Sequence, residues 1–226
     1  MILLCGLAMG CDEDTEMGET FATTDETNTV PDTAQTLAFT NSGDGEREGH
    51  TPRGFMGQGA GLFTGDNLND SFPDGEGVQI FMSLDIGKSL DGTQFARNGG
   101  SWSVDTAWLG SDEASVAGDP FATLGVVMAE QVVFDEFSSA LWDLEPTGDF
   151  SCTFATSLDD IGCDVTPLIQ SAVDNGDRFA QLRIRFEIAG DNDGSVDLLQ
   201  FFTSNSNATE EGLFDLTVEA TQTAAP

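Results

Sequence analysis

Val78-Gln79-Ile80-Phe81-Met82-Ser83-Leu84-Asp85-Ile86 is the clearest strand in the chain. Val78, Ile80, Met82, Leu84 and Ile86 point one way, and a period of two is the pattern of a strand with one face on a core. The period returns along the chain. Trp102, Val104, Thr106 and Trp108 alternate next, which puts both indoles on one apolar face. Val126 to Phe134 reads as a longer apolar strand, buried in part on both faces. Leu182, Ile184, Phe186 and Ile188 alternate with Arg183, Arg185 and Glu187. Val196 to Phe202 answers across a turn at Asp191-Asn192-Asp193-Gly194. Phe214, Leu216 and Val218 close the series, with Asp215, Thr217 and Glu219 facing out. The 26 glycines and the Asn-Asp-Gly clusters mark frequent chain reversals.

One segment breaks the period. Val165, Leu168, Ile169, Ala172 and Val173 fall on one helical stripe. Thr166 is placed to cap that helix, Pro167 suits its first position and Gly176 its end. The expected fold is therefore all-β: an antiparallel, jelly-roll-like β-sandwich over residues 38–226, with one short helix in a connection.

Composition narrows the function classes. The 226 residues carry 40 acids against 7 bases, a net charge of -33. Binding nucleic acid needs Lys and Arg against phosphate, so no nucleic-acid partner is expected. A basic patch on anionic lipid is excluded for the same reason. No apolar run approaches the ~18 residues of a membrane-crossing helix. Leu, Ile, Val and Phe make up about a quarter of the chain, above the roughly one-fifth below which chains lack a core. A single Lys and abundant carboxylates suit solubility in salt, as in a saline habitat; an acidic exported protein of no special habitat has the same composition.

The first eleven residues, Met-Ile-Leu-Leu-Cys-Gly-Leu-Ala-Met-Gly-Cys, read as the apolar end of a secretory signal. Ala8-Met9-Gly10-Cys11 resembles a bacterial lipobox, in which the signal is cut before a Cys that takes the lipid. Ala8 stands where Leu is usual, and no Lys or Arg precedes the apolar run. The alternative is a signal remnant with two incidental cysteines. Residues 12–37 hold eight acids, eight Thr and no base, and read as a disordered acidic tether between an anchor and the body. The expected location is the cell envelope, on the outer membrane or the extracellular surface, held to the membrane only through a lipid on Cys11.

Cys152 and Cys163 close a 12-residue loop. In an exported chain their first reading is a disulfide, with two free thiols as the alternative. One His and no Cys-x-x-Cys pair exclude a zinc site.

Little here points to catalysis. His50 is the only His, in a Gly- and Glu-rich stretch read as a loop, and no Gly-x-Ser-x-Gly elbow accompanies it. With so many acids, a pair at glycosidase separation arises by chance. Calcium is the better expectation. Asp191, Asp193 and Asp197, with Asn192 between them, set three carboxylates and an amide oxygen within seven residues, and Gly194 allows the turn that lets them converge. An ordinary hairpin turn draws on the same residue types. Asp66, Asn67, Asn69 and Asp70 form a second, weaker group. For a glycan, Trp142, Arg183 and Arg185 are the candidates: an indole face stacks on a sugar ring, and Arg forks onto carboxylates. Trp102 and Trp108 are assigned to the core, and the two arginines are expected to pair with neighbouring acids.

Several segments resemble the DNRLRE-type domains. Gly65-Asp66-Asn67 followed by the Val78–Ile86 strand is similar to the opening of such a domain. Gly118-Asp119-Pro120-Phe121-Ala122-Thr123-Leu124-Gly125 is similar to its central segment, Asp164-Val165-Thr166-Pro167 to its helix start, and Gln181 to Phe186 with Asp191-Asn192-Asp193-Gly194 to its penultimate hairpin. The pieces run in order over residues 54–221. The string Asp-Asn-Arg-Leu-Arg-Glu itself is absent, and Trp102 to Gly118 is not a close match. The resemblance implies a secreted β-sandwich, similar to carbohydrate-binding modules, and no catalytic residue. The expected function is non-catalytic binding or adhesion at the cell surface, with polysaccharide as ligand. A structural envelope module is the alternative, and a polysaccharide lyase or hydrolase the third reading.

Overall fold

A computed structural model describes residues 33–40, 48–51, 53, 56–57, 61–66, 77–87, 101–111, 114–202 and 214–223. All of them belong to one compact unit, Pro31–Pro226. Cys11 and residues 12–32, and with them the anchor and most of the expected tether, lie outside the described residues, as do Asn67, Asn69 and Asp70.

The elements in chain order are β1 (Thr33–Thr40), β2 (Glu48–Thr51), β3 (Gly61–Asp66), β4 (Gln79–Asp85), β5 (Ser101–Ser111) and β6 (Ser115–Ala117). A single helical turn α1 (Pro120–Thr123), β7 (Val127–Gln131) and a 3₁₀ turn (Ser139–Asp143) follow. The chain ends with β8 (Ser151–Ser157), β9 (Asp160–Asp164), α2 (Thr166–Asn175), β10 (Phe179–Phe186), β11 (Asp197–Phe202) and β12 (Phe214–Thr223). Nine strands form one sheet in the order β1-β12-β5-β9-β8-β7-β10-β4-β2, and β3-β11-β6 form a second. Every strand pairing is antiparallel. The fold is all-β and sandwich-like.

The expected alternation holds where one face meets the core. Ile80, Met82 and Leu84 of β4, Leu182, Ile184 and Phe186 of β10, and Phe214, Leu216 and Val218 of β12 enter one buried cluster. Phe201 of the small sheet packs in that cluster against Phe214 and Phe154 of the large one, with ring centroids 4.6 and 6.2 Å away. Each such ring contributes roughly 1.5–3 kcal/mol by leaving water. The two sheets therefore share a core.

The helix also forms where expected, with Pro167 in its first turn and Gly176 left-handed at its end. Thr166 does something other than cap it. Its hydroxyl accepts from the Ala107 N–H (2.8 Å) and Gln170 Oε1 accepts from the Val104 N–H (2.7 Å), so α2 seals a stretch of the β5 edge that no strand among the described residues covers. Asp164 takes over at the helix start by accepting from the Thr166 N–H (2.8 Å).

Cys152 and Cys163 form a disulfide. β8 pairs with β7 and β9 pairs with β5, so this hairpin is the seam between the two halves of the nine-stranded sheet, and the disulfide staples it.

Five expectations need correction. β1 begins at Thr33 and buries Leu37, so the body starts ahead of residue 38. The long apolar strand stops at Gln131; Val132 to Phe134 leave the sheet. β11 does not answer β10 across a turn: β10 lies between β7 and β4, whereas β11 lies between β3 and β6, so residues 187–196 cross from one sheet to the other. His50 is in β2, opposite Ile80, rather than in a loop. Trp102 and Trp108 do not share a face. In the β5–β12 pairing Val104 meets Ala220 and Thr106 meets Glu219, so Asp105 is an extra residue, a β-bulge. The bulge reverses the alternation, leaving Trp102 buried and Trp108 52% exposed.

Candidate functional site

After β7 the chain turns back over the outer face of β10 and β4. Val132, Phe134, Phe137 and Leu141 cover Phe81 there and make a second, small core. Gln181 holds this strap by its main chain: the Phe134 N–H donates to Oε1 (3.0 Å) and Nε2 donates to the Phe134 carbonyl (2.7 Å). Arg183 Nη1 holds it again at the Leu144 carbonyl (2.7 Å).

A cleft of ≈ 260 Å³ opens beside the strap, and Trp142, Arg183 and Arg185 all line it, together with Gln79, Phe186 and Ile188. The 3₁₀ turn brings in Trp142, half-buried, whose Nε1 donates to the Gly77 carbonyl (3.4 Å). The Arg53 guanidinium lies 4.2 Å from the centre of the indole and 3.4 Å from Asp143. Arg183 and Arg185 are two apart on β10 and so share its outer face. Glu130, directly opposite Arg183 on β7, receives both: Arg183 through Nε (3.0 Å) and Nη2 (2.6 Å), Arg185 through Nε (2.9 Å) and Nη2 (3.1 Å). Burial works to raise the Glu130 pKa. Hydrogen bonds from Arg185 and Arg183, and their positive charge, outweigh it and hold the carboxyl below its usual range. The expectation that the arginines pair with acids holds, with one acid serving two. Glu130 itself is not singled out by the sequence; only the β7–β10 register reveals it.

The second grouping is acidic throughout. Asp191, Asp193 and Asp197 bring carboxylate oxygens within 4.8 Å of one another and can hold a metal ion. Among the described residues no Lys or Arg ion-pairs with any of the three. Asp197 is 3% exposed and accepts from the Asp119 N–H (2.5 Å). Its register partner across β3–β11 is Asp66, also buried, which accepts from the Asp191 N–H (3.2 Å). Asp66, from the weaker group, thus lies beside the Asp191, Asp193 and Asp197 cluster. Asn192 and Gly194 both adopt positive φ, 61° and 79°, which lets the loop double back. Gly118 must be glycine, because a Cβ there would overlap Asp197 Oδ1 and the Val196 carbonyl. The same crossover supplies Ile188 and Ala189 to the cleft and Asp191 and Asp193 to the cluster.

His50 belongs to neither group. It is buried against Phe63, ring centroids 4.9 Å apart. Desolvation lowers its pKa to about 4 against a smaller opposing effect of a Gly61 backbone hydrogen bond, so the ring is neutral at pH 7. No family model and no curated protein matches the chain.

Proposed function

We propose that this is an exported, lipid-anchored surface protein whose sandwich binds polysaccharide without transforming it. The observation that carries the reading is the cleft. Trp142 lies some forty residues before Arg183 and Arg185, all three are of the types that recognise sugars, and they line one concave site. The resemblance to DNRLRE-type domains supports the same reading. A sugar entering the cleft meets Trp142 and the guanidinium hydrogens not taken by Glu130 or by carbonyls. We further propose calcium at Asp191, Asp193 and Asp197. Oxygens within 4.8 Å of one another suit one ion at the ~2.3–2.6 Å that calcium adopts. The ion would brace the crossover that walls the cleft.

The test is retention of the full chain on insoluble polysaccharides, beside a thermal melt. Trp142→Ala is expected to reduce retention, and since the ring is half-buried and bonded to the Gly77 carbonyl the melt measures what part of the loss is stability. Release of reducing or unsaturated sugar ends would refute binding without catalysis. Retention on none would favour the structural envelope module. One observation already leans that way: Arg53 covers a face of Trp142, and Glu130 occupies both arginines. For the anchor, Cys11→Ser is expected to free the protein from membranes; unchanged fractionation removes the lipid.

A further inference from the structure

Trp108 is the only one of the three Trp that is exposed, and its setting is specific. It stands on the outer face of the nine-stranded sheet, opposite Thr217 of β12 and Asp164 of β9. Two residues on, Gly110 pairs in register with Gly162 of β9. A Cβ on Gly162 would lie 2.7 Å from Trp108 Nε1 and 2.9 Å from Cε2, and one on Gly110 would lie 3.1 Å from Nε1. The indole therefore lies down over a floor of two glycines, which no other residue could form without moving it. One ring face meets the sheet, and 52% of the residue remains open to solvent. On the same face, Thr217 and Asp164 stand opposite it, and Thr106, two residues before it, stands opposite Glu219, all exposed. Thr106 Oγ1 donates to Glu219 Oε2 (3.4 Å) across that rim.

We infer that Trp108 is a stacking platform for a neutral sugar ring, a second glycan subsite apart from the cleft. The inference rests on the glycan-binding reading and extends it to this face. The rim chooses among ligands. A protein partner would need a contiguous apolar patch, and the cross-strand neighbours of this indole are hydroxyls and carboxylates. An anionic chain would be repelled by Glu219 and Asp164. A pyranose ring fits both parts: its C–H face lies on the indole, and its hydroxyls donate to the carboxylates at the rim. A cation would also suit acids around an indole, but the open, flat plate offers one ring face rather than an enclosing cage.

The experiment uses the full chain on cellulose, chitin and agarose, with alginate as the anionic arm and chitosan as the cationic one. Trp108→Ala is compared with Trp142→Ala and the double variant. Being exposed, Trp108→Ala should melt like the wild type, which controls for folding. Expected is retention on a neutral matrix, insensitive to salt, that Trp108→Ala weakens about tenfold, the loss of one aromatic stacking contact. Trp108→Phe should recover part of it. Retention of the wild type that Trp142→Ala abolishes and Trp108→Ala leaves unchanged overturns the platform alone. No retention anywhere overturns both readings. Retention confined to chitosan and lost in salt assigns Trp108 to a cation and overturns the neutral-sugar assignment.

Discussion

Glu130 and Asp197 are both largely buried carboxylates, and the fold treats them in opposite ways. Glu130 faces two guanidiniums, and five donated hydrogen bonds, counting the one to Leu144, tie the three residues and the strap together. Asp197 faces one backbone N–H and, around it, more carboxylates. The first arrangement balances its charge with its own side chains. The second gathers negative charge that a cation from solution is able to neutralise. In a chain with 7 bases against 40 acids, two arginines on one glutamate mark the β7–β10 face as a buried place where the protein supplies its own counter-charge.

The comparison breaks most visibly at Glu130. Glu130→Gln leaves Arg183, whose side chain is 8% exposed, and Arg185 without a counter-ion. Removing one partner of a buried ion pair costs roughly 3–5 kcal/mol. Equilibrium denaturation should show a loss of that size, unresponsive to calcium. A loss under about 1 kcal/mol would mean that the pair behaves as an exposed one.

His50 solves burial in a third way, by being neutral. Its pKa is lowered from 6.5 to about 4, so the unfolded chain binds the proton more readily than the folded one. The stability this represents is present above pH 6.5 and is lost as pH falls toward about 4. At ~1.36 kcal/mol per pKa unit the loss is about 3 kcal/mol. His50→Leu should remove this part of the acid sensitivity, read as the difference between the two pH–stability curves. Glu130 acts in the same direction at lower pH, its contribution present above 4.5 and lost as the carboxyl protonates in the fold.

How far the sequence reveals these sites follows from distance along the chain. Period two exposes β4, β10 and β12 because each has one face on the core. Pro167 and Gly176 expose α2 because their backbone constraints are local. Trp108 is misassigned because a single extra residue, Asp105, reverses a face without altering composition. The β10–β11 hairpin is misread because Asp, Asn and Gly mark a reversal and say nothing about which sheet the chain enters next. Arg183 and Arg185 are recognisable as outward residues, but their carboxylate is 53 and 55 positions away. The Asp191, Asp193 and Asp197 group is legible because it is contiguous; Asp66 is legible only in a separate, weaker group, because its place beside them comes from the β3–β11 register.

Calcium sharpens the comparison next. Millimolar calcium should raise the melting temperature and EDTA lower it, through preferential binding to the folded state. At ten to a hundred times the dissociation constant this amounts to about 1–3 kcal/mol. Magnesium at equal ionic strength is the control, since screening alone relieves repulsion in a chain of net charge -33. Asp193→Asn should remove the calcium-specific part and leave the Glu130→Gln effect intact. Equal responses to the two ions would reduce the cluster to an ordinary acidic loop.

The smallest effect is expected at Asp85, and it calibrates the largest. Arg178 forks onto Asp85 with geometry as good as that at Glu130: Nε to Oδ2 at 3.0 Å and Nη2 to Oδ2 at 2.5 Å. The chemistry is the same, an Arg fork on a carboxylate, and the setting differs. The Arg178 side chain is 52% exposed, and that of Asp85 is 23% exposed. Water therefore already solvates the guanidinium and takes over when the partner is removed. Asp85 Oδ1 also accepts from the Gly87 N–H (3.2 Å), a bond that Asp85→Asn keeps through its amide oxygen. Arg178 retains its place over the Phe179 ring, 4.8 Å from its centre. Asp85→Asn should accordingly cost about 0–1 kcal/mol, and less as salt is added. Denaturation of Asp85→Asn beside Glu130→Gln, at low and high salt, compares an exposed fork from one guanidinium with a buried carboxylate that receives two. Equal losses in the two variants would show that geometry rather than burial sets their strength, and the contrast between the self-neutralised face and the acidic crossover would lose its physical basis.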